Sequence, residues 1–103
     1  MSNQLNTNPI VMDTFTDDVI ISPHPMTIMK VKLFSAAAAD RFSLKNGKTD
    51  TAPEALRIRQ NANLDNEIDF GIHGLRCPDG VFFDASDQVA LDDGTDKVFI
   101  YLK

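Results

Sequence analysis

The sequence has few of the cysteines and histidines that commonly stabilise small proteins through disulfides or bound zinc. Its 103 residues include one cysteine, Cys77, so an intrachain disulfide is excluded. One cysteine and two histidines also argue against a structural zinc site. Such a chain allows one domain of about 75–80 residues beside a separate segment, and a domain that small buries only about 60% of the surface that its unfolded chain exposes. We therefore expect association with other chains to supply part of its stability.

Basic charge and long apolar runs are also missing. Ten lysines and arginines against fifteen acidic residues give a net charge of −5, whereas nucleic-acid binding needs a basic surface that displaces counterions. No apolar run approaches the roughly 18–20 residues of a membrane span. No positively charged segment followed by an apolar core opens the sequence, so we expect no signal peptide and synthesis in a reducing cytoplasm. We predict that neither nucleic acid nor a membrane is a partner.

Helical signals are nearly absent, and short strands dominate the rest. Residues 35–40 (SAAAAD) have a helix-like composition but are too short for more than a turn of helix or a bend. In the stretch 26–34, Val31 and Leu33 alternate with Lys30 and Lys32, which is the period of a strand with one buried face. Such alternation, together with two apolar runs nearer the C-terminus, predicts strands over residues 26–34, 41–45, 54–60, 66–70, 81–83 and 97–103.

Turn signals separate these predicted strands. Asn46-Gly47 is a strong hairpin signal, and Pro78-Asp79-Gly80 and Asp93-Gly94 supply the residues that tight turns require. Short antiparallel strands with frequent turns are typical of an all-β sandwich, jelly-roll-like, or of a small barrel. We predict such a domain over residues 26–103.

Residues 1–25 lack this pattern, and we interpret them as an extended N-terminal arm. The segment is polar at first, carries apolar side chains at intervals, and ends in Ser22-Pro-His-Pro25. A small β domain has little need of such a segment for its own core. The interpretation is therefore that its apolar side chains contact a neighbouring subunit, the candidate contacts being Ile10, Val11, Phe15, Val19 and Ile21.

The last predicted strand is apolar on both faces, with Phe99 and Tyr101 opposite Val98, Ile100 and Leu102. Three interpretations remain open. The strand is central, with its second face covered by a loop or by the arm; or Phe99 and Tyr101 contact another subunit; or they form an exposed aromatic ladder.

Four basic residues are predicted on the solvent-facing sides of two strands. Lys30 and Lys32 belong to one strand, and Arg57 and Arg59 to another. If these strands are neighbours, the four side chains form one basic patch. Such a patch either protects the sheet from aggregation or contacts an acidic partner.

No pattern in the sequence predicts catalysis, a metal or a cofactor. His24 and His73 lie in turns, and Cys77 alternates with Leu75 toward the core, where a thiol is inert. Residues 92–96 (DDGTD) lack the spacing of a calcium loop. We interpret them as an ordinary Asp-Gly turn, with a weak cation at a subunit junction as the alternative.

Several segments together resemble a class of short virion proteins of tailed bacteriophages. They are residues 30–35 (KVKLFS), 56–59 (LRIR), 68–75 (IDFGIHGL), 79–81 (DGV) and 98–103 (VFIYLK), and the resemblance covers residues 28–103. It implies a β-sandwich that sits on the virion as a capsid decoration or cement protein, without an active site. The implied partners are the major capsid protein and copies of the chain itself, as a homotrimer or another small oligomer. The segment 1–25 lies outside the resemblance, and we expect it either to anchor the domain to the capsid shell or to swap between copies.

Two other functions stay open at this point. The first is a tail, baseplate or head-fibre component with the same fold. The second is a carbohydrate-binding module for host attachment, which the lack of tryptophan and the single tyrosine disfavour because sugar sites stack on exposed aromatic rings.

Overall fold

A computed structural model describes residues 3–35, 41–59, 66–88, 91 and 93–103. The described chain consists of short antiparallel strands and one 3-10 turn, Ala85–Asp87. The strands are β1 (Ile10–Met12), β2 (Val19–Ser22), β3 (Met26–Phe34), β4 (Arg41–Asn46), β5 (Glu54–Arg59), β6 (Asn66–Asp69), β7 (Leu75–Cys77), β8 (Val81–Phe83) and β9 (Lys97–Leu102).

The strands form two sheets that pack as a β-sandwich. The larger sheet has the order β1-β9-β3-β6, and β7 pairs with β3 beyond the end of β6. The smaller sheet has the order β2-β8-β4-β5. All of the strand pairs are antiparallel. The all-β antiparallel fold predicted from the sequence is therefore confirmed.

The core lies between the sheets because each strand places alternate apolar side chains on its inner face. In β3, Val31 and Leu33 are fully buried, and they belong to the same core cluster as Phe42 and Leu44 of β4, which are equally buried. Phe83 stacks on Phe42 at a ring-centroid distance of 5.5 Å and an interplanar angle of 24°. Cys77 is buried as predicted, and burial raises the pKa of its thiol.

The strands predicted within residues 26–103 are confirmed with boundaries close to those expected. β4 and β5 are antiparallel neighbours on either side of the predicted Asn46-Gly47 turn, although the connection between them extends over residues 47–53. The short segment β7, which pairs with β3, was not predicted. Residues 36–40, where a helical turn or a bend was expected, and Gln60, the expected end of β5, lie outside the described residues.

The predicted separation of an N-terminal arm from the domain is wrong. β1 pairs with β9 in the larger sheet, and β2 pairs with β8 in the smaller one. Ile10 and Met12 are fully buried, and Phe15 and Ile21 are 5% and 7% exposed. The segment 10–22 thus crosses from one sheet to the other and supplies part of the core that holds the sheets together. A domain boundary at Pro25 is not what the structure shows.

Hydrogen bonds attach residues 3–9 to the larger sheet. Asn3 accepts hydrogen bonds through its side-chain oxygen from the amides of Asp13 and Thr14, at 2.9 and 3.1 Å. The side-chain amide of Asn8 pairs with the backbone of Leu102, donating at 3.1 Å and accepting at 3.0 Å. The side chain of Asn3 therefore binds the residues that follow β1, and the side chain of Asn8 binds the end of β9.

One end of the sandwich is rich in aspartate. Three loops meet there, because Asp13 accepts the amide of Gly94 through its carbonyl at 2.7 Å, Asp93 accepts the amide of Phe15 at 2.7 Å, and Asp18 accepts the amide of Ala85 at 2.8 Å. We refer to this region as the aspartate-rich end; its described carboxylates are Asp13, Asp17, Asp18, Asp84, Asp87, Asp93 and Asp96.

Candidate functional site

The outer face of the larger sheet presents aromatic and lysine side chains in parallel rows. In β3 the residues that alternate with buried Val31 and Leu33 point outward, and in β9 those that alternate with buried Val98 and Ile100 do the same. The register places Lys30 beside Tyr101, Lys32 beside Phe99, and Phe34 beside Lys97. We define the aromatic–lysine face as Lys30, Lys32, Phe34, Phe99 and Tyr101.

The side chains of the aromatic–lysine face contact one another across the strands. The rings of Phe34 and Phe99 meet edge to face, with centroids 5.3 Å apart and planes at 82°. Lys30 Nζ lies 5.2 Å from the centroid of the Tyr101 ring, and Lys32 Nζ lies 5.5 Å from that of Phe34. Such cation–π contacts contribute about 0.5–1 kcal/mol at exposed sites. They hold the lysines over apolar surface and keep the rings half-buried.

An acidic strand borders this face. Glu67 and Asp69 of β6 are exposed and lie beside Lys32 and Lys30 in the register. Lys30 Nζ is 3.7 Å from Glu67 Oε2, and the two side chains are 35% and 50% exposed. A pair this exposed contributes little to stability because solvent screens it. The lysines therefore keep capacity for an acidic partner.

A groove of about 400 Å³ continues the aromatic–lysine face at the end opposite the aspartates. The side chain of Ile72 at its rim is 82% exposed, which is unusual for so large an apolar residue. Gly74 shapes the loop below: its φ is +73°, and a Cβ there would lie 2.7 Å from Met29 Sδ. The groove is lined by Met29, Lys30, Asp69, Gly71, Ile72 and Tyr101.

The predicted basic patch does not form. Lys30 and Lys32 lie on the outer face of the larger sheet, whereas Arg57 and Arg59 lie on the outer face of the smaller one. Their strands are not neighbours, and the core separates the two pairs. Arg59 instead lies beside Arg41 in the register of β4 and β5, a neighbour that sequence patterning did not single out.

The smaller sheet holds a polar cluster on its outer face. Lys45 Nζ lies 2.8 Å from Asp84 Oδ2 and 3.0 Å from Asp87 Oδ2. The side-chain amide of Gln88 continues the ladder beyond β8, accepting from the amide of Ser43 at 2.8 Å and donating to its carbonyl at 3.3 Å. The hydrogen bonds that Lys45 and Ser86 donate lower the pKa of Asp84 from 3.8 to about 2. The same contacts with Asp84 and Asp87 raise the pKa of Lys45.

This polar cluster is not equipped for proton transfer at neutral pH. A general base needs a pKa near the working pH, whereas the pKa shifts keep Asp84 ionised and Lys45 protonated. Both groups spend their hydrogen-bonding capacity inside the chain. The cluster acts as a fastening between β4 and the 3-10 turn that follows β8.

The predicted contact residues of the N-terminal segment fall into two groups. Ile10, Phe15 and Ile21 are buried in the chain's own core, so the structure contradicts their role as contacts with a neighbouring subunit. Val19 is partly buried and packs against the same core. Val11 points outward and lies beside Phe99 in the register, so of the five it alone extends the aromatic–lysine face.

His24 and His73 are exposed in loops, and Cys77 is enclosed by apolar side chains. A second groove, of about 470 Å³, lies at the end away from the aspartates, and prolines dominate its rim: Pro23, Pro25, Pro53 and Pro78. Within the described residues, no group of three or more His, Cys, Asp or Glu side chains could hold a metal ion. Over the same residues, no helix has the length and apolarity to cross a membrane.

Comparison with protein-family models, with curated proteins and with solved structures gave no match.

Proposed function

We propose that the chain is a non-enzymatic structural protein of a tailed-bacteriophage virion, and that it acts as a capsid decoration protein. The resemblance of residues 28–103 to short virion proteins supports the class. The open aromatic–lysine face is the observation that carries the proposal further, because it offers a broad, pre-formed surface rather than a pocket with reactive groups.

The composition of this face suits a protein partner. Aromatic side chains dominate the binding energy of protein interfaces because they bury much area with few rotatable bonds. Phe99 and Tyr101 are held in place by β1 and β3 on either side, so they lose little freedom on binding. The lysines provide electrostatic complementarity to a carboxylate-bearing surface. A decoration protein of this kind binds the major capsid protein and copies of itself, and resides in the virion after synthesis in the host cytoplasm.

Many weak contacts are sufficient for this function. A small clamp that bridges several subunits engages its second and third contacts at high effective concentration, so that modest individual affinities give stable attachment. The particle then resists bursting because dissociation requires all contacts to open together.

The test is the copy number of the chain in purified particles of the phage that encodes it. A decoration protein is present at a copy number comparable with that of the major capsid protein, and particles that lack it burst at a lower temperature. A handful of copies would instead assign it to the tail, the baseplate or a head fibre. Absence from particles would refute the proposal.

The groove beside Tyr101 supports a second candidate function, carbohydrate binding. A phenol ring next to the carboxylate of Asp69 and the ammonium of Lys30 has the elements of a carbohydrate site in a host-attachment module. Against this, Lys30 already lies over the Tyr101 ring. A glycan array probed with the isolated protein decides between the two, since a decoration protein gives no sugar-dependent signal.

A further inference from the structure

The charges of this molecule are unevenly distributed. Among the described residues, the outer face of the larger sheet carries four cations, Lys30, Lys32, Arg76 and Lys97, against two carboxylates, Glu67 and Asp69. This face is therefore net positive in a chain whose net charge is −5. Among the described residues, seven carboxylates gather at the aspartate-rich end instead.

Part of that acidic charge is accessible. Asp84 and Asp87 are engaged by Lys45, and Asp93 accepts the amide of Phe15. In the turn between β1 and β2, however, Asp17 and Asp18 are exposed, and Asp18 uses one oxygen to accept the amide of Ala85. This turn projects carboxylates from a loop that the buried Phe15 and Ile21 anchor on both sides.

We propose that the aromatic–lysine face of one copy binds the aspartate-rich end of a second copy, so that the protein assembles head to tail. Both complementary surfaces belong to the same chain, so the occupant of the face is another copy of this protein. The inference deepens the proposed function, because it names the surfaces through which copies of a decoration protein associate.

The geometry favours head-to-tail assembly over a symmetric dimer. The face runs along the side of the sandwich, whereas the aspartates cap the ends of its strands. A symmetric contact centred on β3 would bring Lys30 and Lys32 of both copies together, and like charges across an interface are unfavourable. Contact between two different surfaces generates a ring when the rotation closes. When the rotation does not close, the same contact generates an open filament.

The experiment measures self-association of the full-length protein by sedimentation equilibrium over a range of concentrations at low salt. The face variant is Lys30→Glu with Lys32→Glu. The end variant is Asp17→Asn with Asp18→Asn, in which the second asparagine keeps the oxygen that accepts the Ala85 amide. Each is expected to weaken self-association at least tenfold. The matched control, Arg57→Glu with Arg59→Glu, makes the same charge change on the other sheet and leaves association unchanged.

Mixing the two variants is the decisive step. The face variant retains an intact aspartate-rich end, and the end variant retains an intact face. An equimolar mixture is therefore expected to form a one-to-one complex and nothing larger, because neither outer surface of that complex can bind another copy. Thermal unfolding of each variant verifies its fold. If charge reversal unfolds the face variant, Lys30→Gln with Lys32→Gln removes the charge without creating like-charge pairs beside Glu67 and Asp69.

Three outcomes would overturn the inference: a monomer at every concentration, association that the face and control variants weaken equally, or no complex in the mixture. None of these bears on whether the chain is found in virions. Conversely, absence from virions combined with rescue in the mixture would refute the proposed function and retain the head-to-tail contact.

Discussion

The two outer faces of the sandwich differ in the partners of their cationic side chains. On the smaller sheet, each cation with a described contact has an oxygen partner within the chain: Lys45 binds Asp84 at 2.8 Å, Arg57 binds Glu54 at 2.8 Å, and Arg41 donates to the carbonyl of Asp87 at 2.8 Å. On the larger sheet, Lys30 and Lys32 lie over aromatic rings, and the nearest carboxylate to Lys30 is 3.7 Å away.

This difference indicates which face is available to a partner. Lys45 must break its contacts with the buried Asp84 and with Asp87 before it binds elsewhere, so it offers little net gain to a partner. A lysine over a ring retains its hydrogen-bonding capacity toward an incoming carboxylate. Among the described residues, aromatic rings and cations lie side by side on the outer face of the larger sheet.

The largest expected effect concerns the segment that joins the two sheets. Deletion of residues 1–25 removes one strand from each sheet together with the buried side chains of Ile10, Met12, Phe15 and Ile21. Truncating a single core residue of this kind to alanine costs about 2–5 kcal/mol, whereas a small domain has about 5–15 kcal/mol in total. We expect the deleted protein to lack a cooperative thermal transition and the amide dispersion of a folded domain.

A pair of point variants makes the same test without shortening the chain. Ile10→Ser places a hydroxyl in the core, whereas Val11→Ser alters the neighbouring outward position on the same strand. The first variant should lower the melting temperature far more than the second. A cooperative melt of the deleted protein near that of the full-length chain would show that β1 and β2 are dispensable to both sheets.

Sequence patterning predicted the strands of residues 26–103 because several of them run for four residues or more with clean alternation. β3 extends over nine residues, and its buried and outward positions could be assigned from Val31, Leu33 and the lysines between them. β1 and β2 have only three and four residues. In Ile10–Met12 a single outward position, Val11, lies between two buried ones, and Val11 is itself apolar. So short a stretch does not display the two-residue period of a strand.

The candidate site was predicted in part for a related reason. Phe99 and Tyr101 were candidate contacts because a strand that is apolar on both faces needs a cover for its second face. In the structure, β9 is a central strand between β1 and β3. The pairing of Lys30 with Tyr101 and the separation of the lysines from Arg57 and Arg59 depend on strand order. Strand order is set by contacts between distant segments, which local patterning does not contain.

Acidification tests the fastening on the smaller sheet. Because the pKa of Asp84 is lowered from 3.8 to about 2 in the folded chain, this carboxylate contributes stability above about pH 4, and that contribution is lost as the pH falls toward 2. The variant Asp84→Asn should melt at a lower temperature than the wild type at pH 7. Its melting temperature should also fall less between pH 4 and pH 2. Melts recorded at closely spaced pH values measure both effects.

The control for this experiment is Asp79→Asn, at an exposed position in the turn before β8. It should reproduce the wild-type fall in melting temperature between pH 4 and pH 2. If Asp84→Asn followed the wild-type curve as closely as this control does, the contact between Lys45 and Asp84 would not fasten the smaller sheet.

The smallest effect on stability is expected on the larger sheet's outer face, and it separates stability from binding. Phe99→Ala removes a half-buried ring and its edge-to-face contact with Phe34. An aromatic pair of this kind contributes about 0.5–1.5 kcal/mol beyond its burial, so denaturant unfolding should show a loss of a few kcal/mol at most. Phe83→Ala, in the core between Phe15 and Phe42, should cost about 3–5 kcal/mol.

Phe99→Ala should nevertheless weaken association between copies more than a folded variant of the smaller sheet, such as Arg57→Ala, does. A Phe99→Ala protein that unfolds as readily as Phe83→Ala would mean that the ring serves the fold, and the contrast between the two outer faces would lose its functional meaning.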